Sequence, residues 1–251
     1  MIPIIKGRFC LIIFVINYLT LLESTNISFI MLIVLEGLDG AGKSTQVQML
    51  QKYMLENGTE TRFLHFPRFD APVYGDLIAR FLRGDLGSID SVHPVLVALL
   101  FAGDRKEASD TIRNWLSSGY CVILDRYIYS NIAFQCAKTI DKNEADWLRN
   151  WILDLEYNKF KIPVPDINIF LDVPLTFVKS KLSSGRSGYD REYLEGKQDI
   201  HEENLSFQEK VREIYLRECT SESELLRVDC SDINGNMLSP DDIFKKIKML
   251  L

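Results

Sequence analysis

The sequence has few of the residues from which metal centres and disulfide frameworks are built. Its 251 residues include five cysteines and three histidines. The cysteines are scattered and form no CxxC pair, so free thiols in a reducing compartment are predicted rather than a zinc site. Excess positive charge is also absent, since 29 Lys and Arg stand against 35 Asp and Glu. The net charge of −6 argues against general nucleic-acid binding, which needs a basic face.

A run of apolar residues long enough to cross a bilayer is missing as well. The best candidate, Phe9–Leu22, contains Asn17. As a helix this segment would measure about 21 Å, against about 30 Å of bilayer core. Two interpretations stay open: residues 1–30 are a targeting or anchoring segment, or the true start is Met31 and the extension is a start-site artefact. We expect no membrane association and a cytoplasmic location, or a nuclear one if the source is eukaryotic.

Beyond the extension, short apolar runs alternate with helical patterns. The strand candidates are Leu32–Glu36, Thr61–His65, Tyr120–Leu124, Ile167–Leu171 and Leu225–Val228. Val47, Leu50 and Met54 recur at helical spacing after the first strand, and Glu144–Leu155 indicates another helix. This alternation predicts a three-layer α/β domain over residues 31–251, in which a central parallel sheet of about five strands has helices on both faces.

One segment carries a specific signal for phosphate binding. Gly37-Leu38-Asp39-Gly40-Ala41-Gly42-Lys43-Ser44, followed by Thr45, matches the P-loop pattern G-x-x-x-x-G-K-[ST]. The glycines let backbone N–H groups surround phosphate oxygens, and the following helix directs its positive end at the same anion. Lys43 is suited to reach the outer phosphates, and the Ser44 hydroxyl to bind Mg²⁺. The motif predicts that residues 37–45 bind ATP, but it does not specify the acceptor.

With its flanking segments, the P-loop resembles that of thymidylate kinases. The resemblance rests on five segments in order: Leu35-Glu36-Gly37-Leu38-Asp39-Gly40-Ala41-Gly42-Lys43-Ser44-Thr45, Phe66-Pro67-Arg68, Leu99-Leu100-Phe101-Ala102-Gly103-Asp104-Arg105, Asp125-Arg126-Tyr127 and Ser130-Asn131-Ile132-Ala133-Phe134-Gln135. It covers Met31 to the C-terminus. It implies the P-loop NTPase fold with a mobile lid, ATP- and Mg²⁺-dependent phosphorylation of dTMP to dTDP, and, by analogy alone, a homodimer.

The acceptor site is expected to contain one pair of residues on a shared helix face. Arg105 follows Phe101 by four residues, so the two side chains lie on the same side of a helix. A ring and a guanidinium so placed can stack on a nucleobase and hydrogen-bond to it, although a phenylalanine in an apolar stretch is more often a core residue. The resemblance implies that Phe101 stacks on thymine and that Arg105 contacts the base.

Further roles are implied by the same resemblance. Arg68 and Arg126 would hold the acceptor phosphate, and Asp39 the sugar 3′-hydroxyl. The remaining acceptor residues would lie around the phosphate, base and sugar: Phe66, Pro67, Asn131, Phe134 and Gln135. Asp125, at the end of a strand, would orient Mg²⁺ together with Ser44. The sequence departs from the thymidylate kinase pattern at two positions. Many relatives have one more residue before the arginine that corresponds to Arg68, and Phe134 stands where a tyrosine is common.

The lid is predicted at about residues 183–197, where serine and glycine precede two arginines. Some relatives carry an arginine in the P-loop at the position of Gly40. We therefore expect Arg186 or Arg191, with Arg191 favoured, to act as the catalytic arginine, in addition to Lys43 and Arg126. The resemblance also implies a catalytic role for Asp39, which would help to orient the reacting centre. Two alternatives stay open: a deoxynucleoside kinase, whose acceptor carries no phosphate, and a P-loop regulator that binds nucleotide without catalysis.

Overall fold

A single parallel sheet organises the computed structural model, which describes residues 30–89, 91–183, 193–195, 199, 205–220 and 224–251. Its strands are β1 (Leu32–Gly37), β2 (Thr61–His65), β3 (Cys121–Asp125), β4 (Ile167–Asp172) and β5 (Leu225–Asp229). They lie in the order β2-β3-β1-β4-β5, and each pairs with its neighbour in parallel. The predicted α/β fold with a five-stranded parallel sheet is confirmed.

The strands lie where the sequence predicts them, within one residue at each end. β1 and β3 are buried along their whole length. This is the usual state of central parallel strands covered by helices, and it explains why they read as continuous apolar runs. The largest shift is in β3, which begins at Cys121 and ends at Asp125, because its register pairs Asp125 with His65 of β2.

Helices connect and surround the strands. They are α1 (Lys43–Glu56), α2 (Tyr74–Leu82), α3 (Pro94–Ser117), α4 (Ile128–Cys136), α5 (Lys142–Leu153), α6 (Leu175–Ser183), α7 (Leu205–Thr220) and α8 (Pro240–Lys248). The helix predicted over Glu144–Leu155 begins earlier because the Asp141 side chain caps it by accepting from the Glu144 N–H. It gives way at Asp154–Lys159 to a π-helix, a wide turn that often marks functional positions.

Some sequence-based predictions concern residues outside this structure. These are the two interpretations of the N-terminal extension and the predictions for most of the lid, including Arg186 and Arg191. In the part of the chain that the structure describes, no helix combines the length and the apolarity needed to cross a membrane.

The first strand is completed from within the domain. The Leu32 N–H donates to Asp166 Oδ2 over 2.7 Å, and the Met31 carbonyl accepts from the Val122 N–H over 2.8 Å. We therefore expect residues 31–251 to fold by themselves. Their thermal midpoint should lie within about 3 °C of the full chain, which corresponds to about 1 kcal/mol for a domain of this size.

Melting curves of both chains by circular dichroism measure the difference. Asp166→Ala serves as the control, because it removes the acceptor at the start of β1 and should lower both midpoints equally. A shorter chain that melts more than about 5 °C below the full chain would show that the extension supports the fold.

Candidate active site

A cavity of about 560 Å³ lies at the carboxyl end of the sheet. Its walls include residues that directly follow β1, β2 and β3, together with side chains from α3 and α4. In open parallel sheets this edge is where ligands bind, because the loops after neighbouring strands meet there. The motifs found in the sequence are thereby brought to one place.

The P-loop forms one wall of this cavity. Gly40 and Gly42 have φ values of 75° and 82°, a left-handed conformation that favours glycine, and α1 begins directly after them at Lys43. Residues 39–45 all line the cavity. Gly37 and Leu38 are not among the lining residues, but their carbonyls accept hydrogen bonds from Lys43 Nζ over 3.4 and 3.1 Å. The loop is therefore built to surround an anion with N–H groups.

Arg126 joins the P-loop to α4. Nη1 donates to the Gly37 carbonyl over 2.9 Å and to Ser130 Oγ over 3.1 Å, while Nη2 lies 2.5 Å from Asp39 Oδ1. Its φ of 69° is left-handed, a strained conformation for a non-glycine residue that occurs preferentially at functional sites. Burial opposes its charge, but Asp39 and other nearby groups raise the pKa of Arg126, so that it stays cationic.

Behind Arg126 lies a fully buried carboxylate that sequence reasoning did not assign to the site. Glu36 Oε1 accepts from the N–H groups of Tyr127 and Ser130 over 2.9 and 3.1 Å. Oε2 accepts from the hydroxyls of Ser130 and Tyr215 over 2.5 and 3.0 Å. Burial raises the pKa of Glu36, although these bonds and the Arg126 charge act in the opposite direction. Glu36 therefore fixes the start of α4, and with it Arg126.

Asp125 is suited to hold a cation shared with a phosphate. Its Oδ1 is buried, has no hydrogen-bond partner within the described ranges, and lies 3.8 Å from Lys43 Nζ. Burial alone would raise the pKa of Asp125, but neighbouring positive charge, with Lys43 first, lowers it to about 2. The carboxylate is thus ionised at neutral pH. The described residues contain no cluster of three or more His, Cys, Asp or Glu that could hold a metal alone.

The same cavity is also lined by most of the predicted acceptor residues. These are Phe66, Pro67, Phe101, Arg105, Arg126, Asn131, Phe134 and Gln135. Phe101 is half-buried against an apolar cluster that includes Ile78 and Phe81. Phe134 is 6% exposed, with the Arg126 guanidinium 5.1 Å from its ring centre. Gln135 Oε1 accepts from Lys138 Nζ over 2.9 Å.

Arg105 is held by a partner that the sequence did not reveal. Its Nε and Nη2 donate to the two carboxylate oxygens of Glu156, each over 2.6 Å, and both side chains are buried. Glu156 also accepts from Asn131 Nδ2 over 2.9 Å. Glu156 belongs to the π-helix, four residues after the buried Ile152. Glu156 continues the spacing of the buried residues of α5, so a charged residue at a buried helical position was the feature of the sequence that could have identified it.

Arg68 is the predicted acceptor residue that the structure does not bring to the cavity wall. Its backbone N–H and its Nε donate to the two carboxylate oxygens of Asp104, each over 2.9 Å. Nη2 donates to the Asp104 carbonyl over 3.0 Å and lies 3.6 Å from Glu107. Asp104 lies on α3, directly before Arg105. Arg68 thus fastens the loop after β2 to α3.

The cavity is also lined by residues to which the sequence analysis assigned no role in the site. Phe177, Met237 and Ile243 line the cavity, and Gln46 Nε2 fixes the start of α8 by donating to the Pro240 carbonyl over 3.0 Å. The Gln46 bond joins α8 to α1, the helix that directly follows the P-loop.

Tyr193 and Glu195 of the predicted lid, and Asp199 just after it, are held by contacts with the rest of the domain. Tyr193 stacks on Phe69 with 3.7 Å between ring centres and donates to Asp199 over 2.6 Å. Arg83 donates to the Tyr193 carbonyl and to Glu195 over 2.8 and 2.9 Å. Tyr193 and Asp199 line the cavity, and Tyr193 is held by Phe69, which precedes α2, and by Arg83, which directly follows it.

Removing the buried carboxylate behind Arg126 tests how the site is supported. Glu36→Ala leaves two backbone N–H groups in the core without their acceptor and leaves the Ser130 and Tyr215 hydroxyls with only each other as partners. We expect a loss of about 3 kcal/mol or more in the free energy of unfolding, measured by urea denaturation. The control is Glu209→Ala on α7, whose side chain is exposed and which should change stability by less than about 0.5 kcal/mol. A loss below about 1 kcal/mol for Glu36→Ala would contradict this role.

Comparison with known proteins agrees with the geometry. A model of the thymidylate kinase family matches residues 35–236. Thymidylate kinase of Mycobacterium tuberculosis is 35% identical over 186 residues, which cover 74% of this chain and 84% of the relative. That of Dictyostelium discoideum is 31% identical over 229 residues, 91% of this chain and 87% of the relative. The solved structure of thymidylate kinase from Candida albicans superposes with a TM-score of 0.65 at 27% identity, covering 88% and 90% of the two chains. The chain belongs to the thymidylate kinase family.

Proposed function

We propose that this protein transfers the γ-phosphoryl group of ATP to dTMP, giving ADP and dTDP, with Mg²⁺ as cofactor. The observation that carries the proposal is that one cavity is lined both by the P-loop and by Phe101, Arg105 and Asn131. Phosphoryl transfer needs the donor and acceptor aligned in a site that stabilises charge, and a shared cavity provides this arrangement. Membership of the family supports the same reaction.

The donor binds along the P-loop. Backbone N–H groups between Gly40 and Ser44 receive its phosphates at the positive end of α1, and Lys43 balances charge on the outer oxygens. Phe177, Met237 and Ile243 also line the cavity, and in the proposed complex these apolar side chains cover the adenine ring.

The thymine base lies between Phe101 and α4. The Phe101 ring stacks on the base, since its half-exposed face borders the cavity. Arg105 uses Nε and Nη2 for Glu156, so Nη1 is the nitrogen left to donate to O4 of thymine. Asn131 Oδ1 is buried and has no hydrogen-bond partner among the described residues, and the N3–H of thymine supplies one. The pattern of one donor and one acceptor matches a pyrimidine with a 4-oxo group and a proton on N3.

The acceptor phosphate is directed to Arg126. This cation is fixed by three hydrogen bonds and lies beside Asp39, which binds the sugar 3′-hydroxyl in the proposed complex. Because Arg126 is held before substrate arrives, little reorganisation is needed as charge develops on the transferring group. The Phe134 ring lies beside Arg126, and in the proposed complex its bulk excludes a ribose 2′-hydroxyl. Arg68 contributes indirectly, since its bonds to Asp104 fix the loop that carries Phe66 and Pro67.

Mg²⁺ fits the residues at the end of β3. Magnesium is usually held by one or two oxygen ligands of the protein together with substrate phosphates, and keeps several waters. The buried, unpartnered Oδ1 of Asp125 and the Ser44 hydroxyl are such ligands, and the low pKa of Asp125 keeps it anionic. The bound ion would neutralise charge on the phosphates between donor and acceptor. Arg186 and Arg191 remain the proposed source of a further cation, and both lie outside the described residues.

A coupled assay of ADP release tests the proposal directly. The acceptors to compare are dTMP, dUMP, dCMP, dAMP, dGMP and thymidine at saturating Mg²⁺·ATP. We expect dTMP to have the highest kcat/KM and thymidine to be at least about 100-fold poorer, because Arg126 then has no phosphate to bind. Turnover of thymidine at a comparable rate would identify a deoxynucleoside kinase instead. ATP binding without turnover of any acceptor would identify a regulator.

Phe101 tests the position of the base. Phe101→Ala should raise KM for dTMP about tenfold, because loss of a stacking platform costs about 1–3 kcal/mol, while KM for ATP changes less than about twofold. The matched control is Leu100→Ala, which packs against the same apolar cluster but does not line the cavity. It should lower stability without a selective change in KM for dTMP. A folded Phe101→Ala protein with normal KM for dTMP would exclude the stacking role.

A further inference from the structure

A buried hydrogen-bond network around Glu156 connects Arg105 and Asn131, the two polar residues proposed to contact the base. Glu156 is fully buried and accepts three hydrogen bonds: two from Arg105 and one from Asn131 Nδ2. Asn131 Nδ2 also donates to the Ala98 carbonyl over 3.0 Å. The carboxylate comes from the π-helix, Arg105 and Ala98 from α3, and Asn131 from α4. One side chain therefore holds groups from two other helices.

The orientation of the Asn131 amide is determined by this network. Both acceptors of its Nδ2, a carbonyl oxygen and a carboxylate oxygen, have lone pairs and no proton to donate. An amide rotated by 180° would place Oδ1 against these oxygens, lose both bonds and add repulsion. Asn131 must therefore keep Oδ1 away from Glu156, where no described residue donates to it. The charge of Glu156 fixes which end of the amide is left for a ligand.

The direction of the Arg105 guanidinium is determined in the same way. Two parallel bonds from Nε and Nη2 to one carboxylate form a fork that cannot turn without breaking both. Although burial opposes the charge, Glu156 raises the pKa of Arg105, so the group donates and never accepts. Nη1 makes no hydrogen bond to the described residues and belongs to a side chain that lines the cavity.

We propose that Glu156 is a positioning residue that sets base specificity: it holds Arg105 and Asn131 so that the site accepts 4-oxopyrimidines and rejects 4-aminopyrimidines. The inference rests on the proposed function, in which the base lies against these two side chains. Thymine offers an acceptor at O4 to Arg105 and a donor at N3 to Asn131. Cytosine offers the opposite at both positions, an amino donor at C4 and an unprotonated N3. Glu156 touches neither substrate and acts only through its two partners.

Two substrates that differ only at these positions test the proposal. They are dTMP and 5-methyl-2′-deoxycytidine monophosphate, and the quantity measured is the ratio of their kcat/KM values. Glu156→Gln is isosteric, but its amide offers N–H groups where the carboxylate only accepted, so Arg105 and Asn131 lose their fixed orientation. We expect the ratio to fall at least about tenfold, mainly through KM, with kcat for dTMP within about threefold of normal.

A second variant allows for the chance that Glu156→Gln does not fold. Glu156→Asp keeps the charge opposite Arg105, but its shorter side chain cannot reach both Arg105 and Asn131. We expect the ratio to fall at least about threefold in this protein. A ratio unchanged in either folded variant would overturn the proposal.

The matched control is Glu218→Gln. Glu218 is 1% exposed and pairs with Arg149 Nε over 2.7 Å, between α7 and α5, and it does not line the cavity. Its loss should lower the melting temperature much as Glu156→Gln does, but leave the ratio unchanged. A ratio that falls equally in both variants would show a general effect of destabilisation and overturn the proposal. If the wild-type protein phosphorylates neither substrate, the proposed function itself fails, and this inference with it.

Discussion

The left-handed backbone at Arg126 is the constraint on which the arrangement of the site depends. A non-glycine residue in this conformation is strained by about 1–3 kcal/mol and persists only where its surroundings hold it. Here the P-loop carbonyl of Gly37, the carboxylate of Asp39 and the Ser130 hydroxyl all bind its guanidinium, and Glu36 fixes the helix that follows. The strain thus places a cation between the loop after β1 and the start of α4, the two walls of the cavity.

The site also shows how an acidic protein can present cationic hydrogen-bond donors to anionic substrates. Each buried cation at the cavity has its own carboxylate: Lys43 lies near Asp125, Arg126 near Asp39, and Arg105 near Glu156. Unpaired charges would be costly to bury, whereas each pair is close to neutral and still presents the hydrogen-bond donors of its cation. The net charge of −6 therefore says little about the potential felt by a phosphate in the cavity.

The parallel sheet was predictable because its buried strands are continuous apolar runs in the sequence. The P-loop was predictable because phosphate binding requires particular residue types at fixed positions. Phe101 and Arg105 could be placed together because four residues form about one helical turn. Contacts between distant segments left no such pattern. Arg68 was assigned to phosphate from its motif alone, and its bonds to Asp104 depend on how the loop after β2 meets α3. Glu156 lies one residue beyond the helix predicted over Glu144–Leu155, and the π-helical turn that carries it has no clear signature in sequence.

The pairing of Arg105 with Glu156 has a consequence for how this family can diverge. The two residues are 51 positions apart in sequence, yet neither can be replaced alone without stranding a buried charge, which costs about 3–5 kcal/mol. Such a loss is a large share of the stability of a typical domain, so most lineages that acquire one change would be removed before the second arises. Substitutions at the two positions should therefore occur together or not at all among descendants of this sequence. A base preference maintained by such a pair would persist long after the surface around it has changed.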